Sequence, residues 1–204
     1  ATTEIYTLSL HDALPIYPTH SVSGPMSAMQ AHATKVAAHG FKPAADDSYF
    51  RSSRFSNVTA FFQMSNGSCM RICEYREAAY PGGTPFEHET FRIFGTKGTF
   101  RENMWMVRDK AEKLTAEQMR DPLPPDVAAA WRSESGDSVA YGGHGGSHAY
   151  LVHEFVDAIA GGRRPAINVW EACRYMAAGC AAQRSAERDG EWTDVPDWGD
   201  APPA

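Results

Sequence analysis

Alternating apolar and polar residues predict a series of strands in the first half of the chain. Apolar side chains recur at every second position from Asn57 to Met64, which is the period of a β-strand with one buried face. The dipeptide Asn66-Gly67 follows, and it is typical of a type I′ turn, in which both residues need a positive φ. Residues 68–75 are therefore predicted to form the return strand of a hairpin, and residues 33–41 are predicted to form an earlier strand.

A second hairpin is predicted around the sequence Gly-Thr-Lys-Gly at residues 95–98. Residues 91–94 and 99–105 flank this turn as strands. Residues 108–140 are charged and contain three prolines, so they are predicted to run over the surface with one helical turn at residues 115–119.

Helical spacing dominates the last third of the chain. Leu151, Phe155 and Ile159 give a first helix a broad apolar face, and Gly161-Gly162 is predicted to end that helix. A second helix is predicted to begin at Asn168.

This second helix is predicted to end at Gly190. Glu171 stands three residues after Asn168, which is a variant of the capping box. Small residues along the helix suit close packing on a sheet, and residues 191–195 are predicted to add a last short strand. Hairpins first and helices later predict an α+β domain, with a mostly antiparallel open β-sheet and helices packed on one face.

Composition and charge exclude several classes of protein. Hydrophobic residues make up 43% and charged residues 22% of the 204 residues, which is ordinary for a globular domain. The formal net charge is −6, and the sequence has no cluster of Lys and Arg residues that could neutralise the phosphates of a nucleic acid. Nucleic acid is therefore not expected as a partner. No apolar run approaches the roughly 18 residues of a membrane helix, so a membrane is not expected as a partner either.

The first sixteen residues differ in character from the rest. Residues 6–16 resemble the in-frame translation of a sequencing adapter, so residues 1–16 are expected to be a non-native scar ahead of a natural chain that starts near Tyr17. The alternative is a genuine strand over residues 4–10. Any N-terminal export signal would be missing, so the sequence assigns no compartment and the cytoplasm is the default expectation.

The four cysteines make poor metal ligands at their predicted positions. Cys69 and Cys73 would lie about 13 Å apart along one strand, and Cys173 and Cys180 about 10 Å apart along one helix. Thiolates that share a zinc ion bind it at about 2.3 Å each, so neither pair fits one ion. All four are expected to be small buried side chains, and no metal is expected.

The glycine-rich segment at residues 142–147 and its flanking histidine are candidates for chemistry. Glycines let the backbone approach a ligand closely, and a neutral imidazole such as that of His148 donates one hydrogen bond and accepts another, which suits sugar hydroxyls. Four glycines around His144 argue against a helix through both histidines, although a loop could still bring the two onto a metal ion. The alternative is that His148 merely caps its helix beside a flexible loop. Because His148 stands where a third glycine would be, the segment is not expected to bind a dinucleotide pyrophosphate.

Two other polar groups are candidates for substrate binding. Residues 17–21 are Tyr-Pro-Thr-His-Ser, in which the proline holds the backbone extended ahead of Thr19 and His20; the alternative is a surface turn. Tyr75 and Arg76 end a predicted strand. Arg76 could clamp an anion or a pair of hydroxyls, or form a salt bridge.

Several segments occur here in an order and spacing that point to one family. They are residues 17–21, Glu74-Tyr-Arg-Glu with Tyr80-Pro-Gly, residues 91–100, residues 144–156, the helix from Asn168, and Asp194-Val-Pro-Asp-Trp. Together, over about residues 17–200, they resemble the C-terminal domain of the glucose–fructose oxidoreductase / inositol dehydrogenase (Gfo/Idh/MocA) family.

The resemblance implies a substrate-binding and oligomerisation domain at residues 17–200, taken from a parent with two domains. The parent's Rossmann domain, absent from this chain, would bind NAD or NADP, and the catalytic lysine of a Glu-Lys-Pro motif would belong to it. The parent would transfer hydride between a nicotinamide and a carbon bearing a sugar or polyol hydroxyl, and it would form a homo-oligomer through the sheet. This chain alone is expected to bind no cofactor and to be inactive.

The resemblance also implies roles for individual residues. His20 falls where the family commonly has an active-site histidine and is expected to be catalytic, although the aspartate usual four residues earlier is Ile16 here. Substrate contacts are expected from five side chains: Thr19, Tyr75, Arg76, His144 and His148.

Two alternative functions remain open at this point. The segments at residues 17–20 and 144–146 also resemble NAD-dependent glycosidases similar to α-N-acetylgalactosaminidase, which oxidise the sugar transiently, eliminate the aglycone and add water. The other alternative is a non-catalytic oligomerisation or carbohydrate-binding module.

Overall fold

A computed structural model describes residues 31–41, 55, 57–75, 92–101, 104–114, 122–135 and 143–203. Predictions that lie outside these residues include the scar at residues 1–16, the alternative strand at residues 4–10, the cluster at residues 17–21, Arg76 and the helical turn at residues 115–119.

The described ranges contain seven strands, followed by three helices and a last short strand. The elements are β1 (Ala33–Phe41), β2 (Asn57–Met64), β3 (Cys69–Tyr75), β4 (Arg92–Phe94), β5 (Thr99–Arg101), β6 (Met104–Val107), β7 (Lys110–Lys113), α1 (Pro125–Ser135), α2 (Gly143–Ala160), α3 (Val169–Ala186) and β8 (Thr193–Asp194). The predicted α+β class with antiparallel sheets is confirmed.

The strands form two antiparallel sheets. The first, which we call the central sheet, has the strand order β3-β2-β1-β8. The second, which we call the hairpin sheet, is a meander with the order β4-β5-β6-β7. Strands β1 and β2 have the predicted bounds because their alternating pattern needs one buried face.

The turn between β2 and β3 differs from the prediction. Gly67 has a positive φ of 79°, but Asn66 does not, so the turn is not of type I′. Instead, the Gly67 N–H donates to the carbonyl of Met64 and the Met64 N–H donates to the carbonyl of Ser68, both at 3.0 Å. The side chain of Asn66 accepts hydrogen bonds from the backbone N–H and the hydroxyl of Ser68. These two bonds explain why asparagine is favourable in this turn although its φ is not positive.

Two predictions for the middle of the chain are wrong. The strand predicted at residues 99–105 is two strands, β5 and β6, which pair with each other. The surface segment predicted at residues 108–140 contains strand β7 and helix α1. Pro125 at the first position of α1 and Asp126 in its first turn are ordinary signals of a helix start. The prediction interpreted the prolines of this segment as helix breakers and therefore missed the helix.

The main core lies between the inner face of the central sheet and helix α3. It is built by the buried side chains Ala33, Val36, Ala38, Val58, Ala60, Phe62, Met64, Met70, Ile72, Ala178, Ala181, Ala182 and Ala186. The helix contributes only alanines to this cluster, so its backbone can approach the sheet closely. From the hairpin sheet, Ile93 and Phe100 pack against the same core.

The prediction that all four cysteines are buried is wrong. Cys173 and Cys180 are exposed and Cys69 and Cys73 are half-buried, and all four are free thiols. The alanines of α3, rather than its cysteines, face the sheet, because close packing of a helix on a sheet favours the smallest side chain.

Ser185, at the end of α3, replaces a missing strand neighbour. In the described residues, β8 pairs with β1 only at Lys35 and Val36, so it does not reach the Ala38 N–H. The fully buried Ser185 hydroxyl accepts a hydrogen bond from that N–H at 2.8 Å and donates one to the carbonyl of Glu191 at 2.7 Å. One hydroxyl therefore joins the helix, the strand and the chain that leads into β8.

Replacing Ser185 with alanine is expected to lower the free energy of unfolding by about 1–3 kcal/mol, because a buried N–H loses its acceptor. Urea denaturation followed by circular dichroism measures the loss. The matched control is Thr193→Ala, which removes an exposed hydroxyl that donates to the same Glu191 carbonyl at 3.2 Å. An equal loss in both variants would contradict the role assigned to Ser185.

Candidate functional site

Helix α2 carries the two histidines predicted near the glycine-rich segment. The helix begins at Gly143 and therefore includes His144, so the prediction that no helix passes through both histidines is wrong. His148 is exposed and lies in the second turn rather than at the helix start. Residues 144 and 148 are one turn apart, which places both positions on the same side of the helix.

Packing just beyond the glycines explains why the helix forms through them. A glycine in a helix interior costs about 1 kcal/mol relative to alanine. Ala149 and Tyr150 are buried and pack with Leu123, which precedes α1, and with Val127 and Trp131 of α1. This contact stabilises the second turn of α2. The helix then extends from this turn through the glycines toward its N-terminus.

The broad apolar side of α2 is largely exposed. We call this surface the α2 apolar face; it consists of Val152, Phe155, Val156 and Ile159, which are 49–63% exposed. Helical periodicity places these residues on the same side as His148. The arrangement is therefore a hydrophobic surface with an imidazole at one end.

Arg163 fixes the other end of α2. The predicted helix stop at Gly161-Gly162 is confirmed, since α2 ends at Ala160 and Gly162 has a positive φ of 63°. The Arg163 guanidinium donates two hydrogen bonds to the carboxylate of Glu154, each at 2.8 Å, and one to Asp157 at 2.7 Å.

Glu154 is held in its charged form by this contact. The hydrogen bonds from Arg163 and then from the Ala166 N–H lower the pKa of Glu154 from 4.5 to about 2. The carboxylate therefore joins α2 to the loop that enters α3. The side chain of Asn168 accepts hydrogen bonds from the N–H groups of Trp170 and Glu171, which confirms the predicted start of α3.

The structure places some of the predicted site residues and not others. His144 and His148 lie on α2. Tyr75 is the last residue of β3, where its backbone pairs with Asn57. Thr19, His20 and Arg76 lie outside the described residues, so their association with α2 remains a prediction.

The described residues do not offer a dinucleotide site. Every pair of strands among them is antiparallel, whereas a dinucleotide pyrophosphate binds at the carboxyl ends of parallel strands. In the same part of the chain, no group of three or more His, Cys, Asp or Glu side chains could hold a metal ion. None of the helices described there is long and apolar enough to cross a membrane.

A known family matches most of the chain. The family model described as "Glycosyl hydrolase 109, C-terminal domain" matches residues 56–201. The chain matches none of the curated proteins.

Solved structures with the same fold are enzymes. An oxidoreductase from Agrobacterium radiobacter, in complex with NAD+, L-tartaric acid and magnesium, is similar with a TM-score of 0.60 and 14% identity over 95% of this chain and 56% of its own. A levoglucosan dehydrogenase with NADH and levoglucosan has a TM-score of 0.59 and 16% identity over 96% and 58%. The WlbA dehydrogenase from Bordetella pertussis, with NADH and UDP-GlcNAcA, has a TM-score of 0.54 and 18% identity over 96% and 56%.

These similarities establish the fold of the chain. At 14–18% identity they carry no residue roles from one protein to another. The chain spans little more than half the length of each of these structures.

Replacing Glu154 with glutamine is expected to remove a stabilisation that depends on pH. Because the folded-state pKa lies below the ordinary value, the carboxylate stabilises the fold above about pH 5, and this stabilisation is lost as the pH falls toward 2. The difference in melting temperature between wild type and E154Q should therefore shrink over that range. Glu112→Gln, at an exposed position of β7, is the control, and an equal change with pH in this variant would contradict the role assigned to Glu154.

Proposed function

This chain belongs to the glycosyl hydrolase 109 C-terminal domain family, and we propose from that premise that it is the substrate-binding part of an NAD(P)-dependent oxidoreductase acting on a sugar or polyol hydroxyl. The resemblance to the C-terminal domain of Gfo/Idh/MocA oxidoreductases is confirmed. The observation that carries the proposal is the agreement in fold, over nearly the whole chain, with dehydrogenases solved with NADH and a sugar or sugar nucleotide.

In this proposal the nucleotide binds to a separate lobe of the intact protein. The solved relatives are considerably longer than this chain, and the antiparallel sheets described here suit substrate contacts rather than a dinucleotide. The α2 apolar face packs against that lobe, which removes four exposed hydrophobic side chains from water. The histidines at the start of the face then lie at the junction between the lobes, where a substrate is enclosed.

The side chains of this part bind and orient the sugar. His148, exposed at the end of the α2 apolar face, forms a hydrogen bond with a sugar hydroxyl, and His144 one turn earlier extends the same contact. Thr19, Tyr75 and Arg76 add further hydrogen bonds, and His20 takes up or returns the hydroxyl proton. The nicotinamide, when bound to the intact protein, supplies the hydride chemistry.

A second candidate function is the NAD-dependent hydrolysis of a glycoside. The description of the matching family favours it, because that family is named for a glycosyl hydrolase. Both candidates begin with oxidation of a sugar hydroxyl, so the demands on the substrate-binding residues are the same. They differ in the next step, in which a glycosidase expels the aglycone and later restores the oxidised carbon.

The products distinguish the two functions and test the proposal as a whole. With the intact protein, NAD and an aryl glycoside, an oxidoreductase accumulates NADH, whereas a glycosidase releases the phenol with no net NADH. If sugar binds but neither product forms, the chain is a binding module and the proposed catalytic role is wrong.

His148→Ala in the intact protein is expected to lower kcat/KM by about 10- to 100-fold, because one hydrogen bond to a substrate hydroxyl is lost. The matched control is His153→Ala, a half-buried histidine on the same helix but away from the α2 apolar face. Steady-state kinetics with the preferred sugar measures both variants. If H148A and H153A have equal effects, His148 does not contact the substrate.

The outer face of the central sheet is the surface proposed for the homo-oligomer. Phe61 lies on this face and is 42% exposed. It contacts Trp192, which is 47% exposed, edge to face with ring centroids 6.2 Å apart. Two partly exposed aromatic rings beside each other are typical of a protein contact surface, where burial of the rings stabilises the complex.

Phe61→Glu is expected to convert the oligomer to a monomer, because a carboxylate would be buried against the partner's sheet. Size-exclusion chromatography with light scattering measures the mass. Phe155→Glu serves as the control, since it places the same charge on the α2 apolar face and should leave the mass unchanged. A wild-type chain that is already monomeric would contradict the proposed interface.

A further inference from the structure

A cleft of about 980 Å³ opens at one end of the hairpin sheet. In a meander, the first and third turns lie at the same end, so the β4–β5 turn at residues 95–98 and the β6–β7 turn at Arg108-Asp109 meet there. We propose that this cleft, which we call the basic cleft, binds a small molecule that carries a phosphate group.

The rim of the basic cleft is positively charged. Lys97, Arg101, Arg108 and Lys110 line it, and all four are exposed. Asp109 is the one acidic residue in the lining that the structure describes. Among the described residues, no carboxylate forms an ion pair with Lys97, Arg108 or Lys110, so their charges are available to an anion.

The charge of the hairpin sheet contrasts with that of the whole chain. Residues 92–113 contain six Lys or Arg residues and three Asp or Glu residues, whereas the chain has a formal net charge of −6. The positive potential is therefore local to this sheet, where it raises the concentration of anions near the cleft.

Arg108 is presented to the cleft by an unfavourable backbone conformation. Val107 pairs with Lys110, so Arg108 and Asp109 form a turn of two residues, and Arg108 has a positive φ of 54°. A positive φ at the first of these residues is the pattern of a type II′ turn, where glycine is preferred. An arginine at this position destabilises the turn by about 1 kcal/mol or more relative to glycine. The turn therefore has a cation at the cleft where glycine would give the more stable fold.

The floor of the cleft suits a compact ligand with an apolar part. Phe94, Thr99 and Met106 are cross-strand neighbours on one face of the hairpin sheet and line the cleft. Ile93 and Phe100 alternate with them and point to the core. A hydroxyl between two apolar side chains, with lysine and arginine side chains at the rim, fits an aryl or alkyl phosphate, and the volume is that of a small-molecule pocket.

Calorimetric titration of the full chain with phenyl phosphate at low ionic strength tests the proposal. Binding is expected, with inorganic phosphate binding more weakly and phenol not at all. Lys97→Ala and Arg108→Gly are each expected to weaken binding by about tenfold, because each removes one charge-assisted contact. Arg108→Gly also relieves the strained φ, so it should fold at least as stably as the wild type.

Two control variants separate this site from other effects. Lys113→Ala removes a cation from β7 outside the cleft and should leave the affinity unchanged. His148→Ala should also leave it unchanged, so failure of the sugar-binding proposal and failure of this one are distinguishable. The proposal is overturned if phenyl phosphate does not bind, if Arg108→Gly and Lys97→Ala bind as the wild type does, or if Lys113→Ala weakens binding equally.

Discussion

The close approach of α3 to β1 is the constraint on which the rest of the described structure depends. Alanines on the inner side of the helix allow that approach, and the buried Ser185 hydroxyl fixes it by bonding to β1 and to the carbonyl of Glu191. The N-cap at Asn168 begins α3, and the contacts of Glu154 with Arg163 and Ala166 hold the end of α2 beside the loop that leads into α3.

The two ends of α2 differ in stability, and this difference bears on the proposed function. The C-terminal end is held by Arg163 and by the Gly162 stop, whereas the first turn contains three glycines and the described packing against α1 involves Ala149 and Tyr150. Glycine lowers the local stability of a helix, so the turn that carries His144 is the least stable part of the element. Under the proposed function, the less stable turn is the one that carries the substrate-binding residue His144.

Sequence patterns predicted the central sheet and α3 well because local signals and burial agree there. Buried positions alternate along β2 from Val58 to Met64, β1 buries Val36 and Ala38 on the same face, and Asn168 caps α3 as expected. The prediction failed where tertiary contacts overrule local preference: helix α2 extends through glycines because Tyr150 packs beside α1, and the charged β7 forms because it completes a meander. The histidines of the candidate site were found from their glycine-rich setting, but the exposure of the α2 apolar face could not be, since a periodic apolar stripe does not specify what covers it.

The distribution of charge separates the two proposed ligand surfaces. At physiological ionic strength the Debye length is about 8 Å, so each surface responds to its nearest charges rather than to the net charge of the chain. Beside the α2 apolar face, the charges of Arg163, Glu154 and Asp157 are already paired with one another, which leaves an environment suited to neutral hydroxyls. Lys97, Arg108 and Lys110 of the hairpin sheet form no ion pair within the described residues, so we expect anions to collect there instead. A neutral sugar and a phosphate-bearing ligand would thus be drawn to different elements of one fold, and neither would compete for the other's surface.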